Sequence, residues 1–264
     1  MHETLKRGLS GFIYVALLLF CTLHSNNFFI ILFGILMLIA SFEFSKLIKI
    51  PTVLTLFIGT MFYVFLIYLE KTMPIITLIA ALVSILILLK MSYVLFISKP
   101  TVINKFEKWI VFIGYIAIPF ALIALFPFNN QNYNPKAIIS IFILIWINDT
   151  FAYLVGKNFG KNKLWESISP KKTIEGFVGG VLFSLLGGYF LSLYYLQDNN
   201  FKWICIALLI SFLVMIGDLI ESKIKREAGV KDSGKIMPGH GGILDRMDSI
   251  IFAIPFIYLL QKLF

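Results

Sequence analysis

The sequence predicts an all-α, polytopic integral membrane protein with about nine transmembrane helices and its N-terminus in the cytosol. Three observations lead there. Of 264 residues, 59% are hydrophobic and only 14% are charged. Mean hydropathy is +0.90, which excludes an ordinary soluble domain. The apolar residues also gather in long runs, approaching the roughly 20 residues that a helix needs to cross the hydrocarbon core.

Nine such runs follow in order: 9–23, 28–47, 53–69, 74–97, 109–126, 137–156, 173–196, 203–220 and 243–263. The first is short, and Lys6 and Arg7 precede it as in a signal peptide. No small-residue cleavage site follows, so it reads as a retained first span. Charge asymmetry orients the set. With the N-terminus in the cytosol, 18 of the 23 Lys and Arg fall on the cytosolic side. Four fall outside (Lys71, Lys136, Lys202, Lys262), and Lys90 lies inside the fourth run. That is a positive-inside pattern; the expected location is the cell's inner (cytoplasmic) membrane, with the active site facing the cytosol.

The two halves differ. Residues 1–128 read as a structural half whose runs carry almost no acids, Glu43 being the main exception. The polar stretch 129–135 breaks the chain, and residues 129–264 read as a catalytic half with acids in or beside every run. Cys21 and Cys205 both sit in apolar runs and read as buried small hydrophobes. The net charge of +9 suits anionic headgroups or a phosphate-rich substrate. The positive charge is scattered over loops between spans, so nucleic acid is not an expected partner.

Four constellations carry the chemistry, and the topology directs all four to the cytosolic face. Acids beside hydrocarbon are costly and mark a site more often than packing. The first is Asn148-Asp149 with Ala152, Tyr153 and Gly156, a single helical face at i, i+3, i+4 and i+7. Gly156-Lys157 and Gly160-Lys161 lack the spacing and the Ser or Thr of a phosphate loop. The second is Ser169-Pro170-Lys171-Lys172-Thr173, then Glu175-Gly176. A helix N-terminus beside two lysines is an anion site, or else an ordinary basic flank. Gly176, Gly180, Ser184 and Gly188 then recur every four residues, a ridge that lets another helix come close.

The third is Asp218 with Glu221, Ser222, Lys225 and Arg226. One helical face presents two carboxylates and a hydroxyl, then cations a turn beyond. Carboxylates suit Mg²⁺, and the cations suit phosphate. The fourth runs from Lys231-Asp232 through Pro238-Gly239-His240-Gly241-Gly242 to Asp245-Arg246 and Asp248. Its glycines let a backbone approach a ligand closely. No Cys or second nearby His offers a zinc set. Together these describe metal-assisted phosphoryl-type chemistry at a membrane surface. Spacing alone goes no further.

The gapped run from Ser222 through Lys225-Arg226, Lys231-Asp232, Pro238, His240-Gly241-Gly242 and Asp245-Arg246 to Asp248 closely resembles the signature of phosphatidate cytidylyltransferases, the CDP-diacylglycerol synthases. The stretches 149–161 and 169–176 resemble further motifs of that family. The resemblance covers roughly 148–249. It implies that CTP and phosphatidate give CDP-diacylglycerol and pyrophosphate, with Mg²⁺ and a second, monovalent cation (K⁺). It also implies a homodimer with a polar funnel open to the cytosol and to lipid. On that footing Asp218, Asp245 and Asp248 would hold the metal. Lys171, Lys172, Lys225, Arg226 and Lys231 would hold triphosphate. Ser222 and His240 would position phosphate or nucleobase, and Asp149 would orient a lysine or reach the metal. Gly241 and Gly242 would admit the substrate. Rival readings are another CTP-using lipid enzyme (a polyprenol or phytol kinase, or a CDP-archaeol synthase) and an ion-coupled anion transporter.

Overall fold

A computed structural model describes residues 2–97, 104–129, 132–165, 169–239 and 241–264, apart from the side chains of residues 2–7, 129, 165 and 170. The described residues are mostly helical, with loops and two short ribbons between the helices. Each of the nine expected runs lies, with at most one residue beyond the helix end, in one of nine long helices among the described residues. These are α1 (His2–His24), α2 (Asn26–Ile48), α3 (Thr52–Thr72), α4 (Pro74–Phe96) and α5 (Lys105–Leu125). They continue with α6 (Pro135–Phe159), α7 (Ile174–Leu196), α8 (Asn200–Glu227) and α9 (Leu244–Leu263). Helices α2 to α8 are long and apolar enough to cross a membrane. The apolar part of α1, Gly8–His24, is shorter, and α9 carries Asp245, Arg246 and Asp248 near its start.

Local chemistry sets the helix ends. Ser25 accepts from the Phe28 amide to start α2, and Asn104 accepts from Glu107 to start α5. Asn134 caps α6 with Pro135 at its first position, where a missing N–H costs nothing. Lys49 ends α2 in the left-handed region at φ 55°. Pro74 opens α4 directly after α3. The polar break at 129–135 forms a ribbon, β1 (Phe128–Asn129) against β2 (Asn132–Tyr133), and the Tyr133 hydroxyl donates to the Thr22 carbonyl at 2.8 Å.

Helix α5 is the buried axis, with every residue from Gly114 to Leu125 in the interior. It contains a π-helical turn, Ile113–Ala117. Gly114 lies against Ile87 of α4 with no room for a Cβ, and its carbonyl accepts from Ser84 at 2.6 Å. Around α5 stand α2, α3, α4 and α9. One apolar core joins residues of both halves, so the division at 128 is not a division of the core. Exposed apolar side chains such as Val53, Phe57 and Leu86 line the outer faces of α3 and α4, the surface that lipid chains cover.

The glycine ridge on α7 packs two neighbours. Gly176 and Gly180 press against Ala152 and Asn148 of α6, and Gly188 presses against Trp203 and Ala207 of α8. This small-residue contact draws α6, α7 and α8 together. At one end of the bundle, Glu70 of α3 accepts from Tyr258 at 3.0 Å and Lys262 at 2.9 Å, and from Thr77. At the opposite end the C-termini of α2, α6 and α8 meet the N-termini of α7 and α9.

Candidate functional site

The site forms where those five helix ends meet. The chain leaves α6 and folds into a ribbon, β3 (Lys163–Trp165) antiparallel to β4 (Ser169–Thr173). Thr173 then caps α7 by accepting from the Gly176 amide at 3.1 Å. Glu175 in the first turn of α7 accepts from the Lys161 and Asn162 amides at 3.1 Å each. The ribbon therefore delivers Lys171 and Lys172 to the head of α7 and holds them over α8.

A cavity of about 540 Å³ opens among these elements. Seven predicted residues line it: Asp149, Lys171, Lys172, Asp218, Lys225, Asp245 and Asp248. Phe177, Val214 and Met215 give the wall an apolar section. Lys172 forms an ion pair with Asp218. Asn148 Nδ2 donates to Asp149 Oδ1 at 3.4 Å, while the Asn148 side-chain oxygen is buried without a hydrogen bond.

The acids sort into two groups. Oxygens of Asp218, Glu221 and Asp248 lie within 4.8 Å of one another. At that spacing two carboxylates repel by roughly 3 kcal/mol even at an effective dielectric of about 20. Glu221 is 1% exposed, and Asp248 is buried as well. Glu221 Oε2 meets Lys225 Nζ as an ion pair without hydrogen-bond geometry, and Oε1 has no hydrogen-bond partner at all. A buried, unsatisfied carboxylate oxygen in an all-oxygen group of acids is what a hard divalent cation would complete. The residues present therefore fit such a metal.

Asp245 lines the same cavity but lies outside the group of Asp218, Glu221 and Asp248. Its Oδ2 accepts from the Gly242 amide at 2.7 Å, the Ser233 amide at 2.9 Å and the Ser233 hydroxyl at 2.9 Å. Its Oδ1 takes Lys225 Nζ at 2.6 Å. Asp245 sits in the first turn of α9 and ties down the loop before it. Asp248, three residues on, turns toward α8. Glu221 is the carboxylate that joins Asp218 and Asp248. Its i+3 spacing from Asp218 put it on the active face in the sequence, but nothing there distinguished it from Asp245.

Lys225, which also lines the cavity, pairs with both Glu221 and Asp245. Arg226, Ser222, Lys231, Gly241 and Gly242 do not line the cavity. Arg226 donates to the Val230 carbonyl at 3.1 Å, closing the turn after α8. Gly241 has φ +88° and leaves no room for a Cβ against Asp245. Gly242 leaves none against Ser233 and Glu43. Both glycines admit carboxylates at close approach. His240 lies outside the described residues. Two residues to which the sequence assigned no role also stand here: Glu43, noted only as an acid in an apolar run, meets the loop before α9, and Tyr115 has a buried hydroxyl without a hydrogen-bond partner.

The Cytidylyltransferase family model matches residues 5–264. The chain belongs to the cytidylyltransferase family. This family member is similar to "Phosphatidate cytidylyltransferase" of Staphylococcus aureus (strain COL), with 45% identity over 150 residues, 56% of each chain. It is 47% identical over 137 residues to the protein of that name from Bacillus subtilis (strain 168), covering 52% of this chain and 51% of the relative. With the Staphylococcus epidermidis protein of that name it shares 41% identity over 149 residues, again 56% of each. The chain spans about half the length of the curated relatives it matches.

Proposed function

We propose that this cytidylyltransferase makes CDP-diacylglycerol from CTP and phosphatidate, releasing pyrophosphate. The observation that carries this reading is the group Asp218, Glu221 and Asp248 beside Lys171 and Lys172, in a cavity with an apolar wall. A lipid phosphate needs both a cationic, metal-capable floor and a passage for its chains. The matched relatives bear the name of that activity.

Asp218, Glu221 and Asp248 would hold Mg²⁺. When bound, the metal neutralises phosphate oxygens and the charge that develops as pyrophosphate departs. The remaining work belongs to the chain. Lys171 and Lys172 lie at the cavity wall, where they bind and orient the triphosphate as point charges. The Lys172–Asp218 pair exchanges for a Lys172–phosphate contact on binding. Lys225 fixes the Glu221 and Asp245 carboxylates in place. Phe177, Val214 and Met215 exclude water beside the lipid glycerol. The phosphatidate oxygen is already anionic, so no general base is required. It attacks the α-phosphorus, and the bond to the bridging oxygen of the leaving pyrophosphate breaks. Asp149 orients Lys172 in this scheme. K⁺ as a second cation, a homodimer, and a cavity facing the cytosol from the inner membrane complete the proposal.

The test is purified protein with phosphatidate, Mg²⁺ and CTP labelled at either the α or the γ phosphate. Label from the α position in lipid, with equimolar pyrophosphate and none of either in EDTA, is the expected result. Label from the γ position in lipid would mean a kinase. Product from archaeal ether lipid but not from phosphatidate would mean a CDP-archaeol synthase.

A further inference from the structure

We infer that Glu43, on α2, is a positioning residue for the start of α9 and the loop before it, which together hold Asp245, so that the first half of the chain takes part in catalysis. Glu43 is 2% exposed and lies between the fully buried Phe44 and Ala40. Its carboxylate faces the loop before α9, some two hundred positions along the chain. Oε1 accepts from the Ile243 amide at 3.2 Å. Oε2 accepts from the Leu244 amide at 2.8 Å and the Ser233 hydroxyl at 3.2 Å.

The first amides of a helix have no partner within it. The residue before α9, Ile243, has no side chain able to cap. Glu43 supplies the cap from another helix, and its charge complements the dipole of α9. The loop is shaped to receive it: Gly234 and Gly242 both lie so close that neither has room for a Cβ. The Ser233 hydroxyl lies between Glu43 and Asp245, and its single proton serves one at a time. A chain of polar contacts thus runs from Glu43 through Ser233 to Asp245, then to Lys225 and Glu221. A cap alone needs only the Ile243 and Leu244 amides. The continuation through Ser233 makes Glu43 part of what fixes the Lys225–Glu221 pair.

The catalytic arm of the test rests on the function proposed above; the structural arm does not. Glu43→Gln keeps the volume and one acceptor but turns an NH₂ group toward amides that must themselves donate. In the full-length chain in detergent, without substrate, trypsin cleavage after Lys231 and Lys235 should speed up roughly tenfold or more as the loop opens locally. In steady-state assays the kcat should fall, and the Mg²⁺ concentration for half-maximal rate should rise, by roughly 10- to 100-fold. Ser233→Ala should shift both in the same direction by less, and serves if the Glu43 variant fails to fold. A residue that merely caps α9 would lower the unfolding midpoint and leave the Mg²⁺ requirement of surviving enzyme unchanged. That result, or wild-type cleavage in both variants, overturns the inference. If wild-type protein makes no CDP-lipid, the proposed function fails and the cleavage arm still judges Glu43.

Discussion

Replacing Lys225 with Met removes a cation held between two buried carboxylates while keeping most of its apolar stem. The Nζ lies 2.6 Å from Asp245 Oδ1 and also meets Glu221. The three side chains are 12%, 6% and 1% exposed, so water screens them little. At 2.6 Å and an effective dielectric of about 20, the attraction to Asp245 alone is about 6 kcal/mol. Desolvation offsets part of that. The measurable cost of removing one partner from such a pair is about 3–5 kcal/mol, because the abandoned carboxylates stay buried. For a chain of this size the midpoint of thermal unfolding should fall by roughly 6–20 °C. The assay is thermal unfolding of purified protein in detergent and EDTA, for wild type, Lys225→Met and Lys225→Met/Asp245→Asn. The double variant removes one abandoned charge and should recover part of the loss. A Lys225→Met midpoint within about 1 °C of wild type would refute the reasoning. So would a double variant less stable than the single one, since the charge abandoned on Asp245 would then not be what destabilises Lys225→Met.

Asp218→Asn and Asp248→Asn should each lower CDP-diacylglycerol formation by at least about 100-fold, with folded protein recovered from the membrane fraction; wild-type rates in either would remove the metal assignment. Gly180→Val should destabilise by about 1–3 kcal/mol through overpacking, because a Cβ there already meets the Asn148 side-chain oxygen at 2.8 Å; an unchanged midpoint would show that α6 and α7 can part at no cost. Glu227→Gln should leave the rate within about twofold of wild type, since Glu227 does not line the cavity and faces Lys223 across a turn at a long 4.0 Å; an inactive variant would mean the active face is drawn on the wrong side of α8.

The helices were legible because hydrocarbon imposes its length on the chain. Each of the nine apolar runs lies in a helix with at most one residue beyond its end, and the ridge of Gly176, Gly180 and Gly188 packs as its spacing indicates. The first run read short because α1 extends to His2 through polar residues that no hydropathy window counts. Convergence of Asp149, Lys172, Asp218 and Asp248 was also legible, since alternating spans carry their charged ends to one face. The roles within the cluster were not. Periodicity says which face a carboxylate shares, not whether its lone pairs are already taken. Asp245 and Glu221 look alike in the sequence. One is saturated by Gly242, Ser233 and Lys225, while the other keeps an oxygen without a hydrogen bond. Glu43 could be noticed as an acid in an apolar run, but its partner is a helix end that only tertiary packing brings near.

The central claim is that three carboxylates from α8 and α9 hold a divalent ion for nucleotide chemistry. It is tested most directly by Mn²⁺ binding to the purified full chain, followed by electron paramagnetic resonance with and without CTP. Saturable binding that Mg²⁺ displaces, lost in Glu221→Gln and Asp248→Asn but kept in Glu227→Gln, is the predicted result. No saturable binding in the wild type, or equal binding in all of these variants, would contradict it.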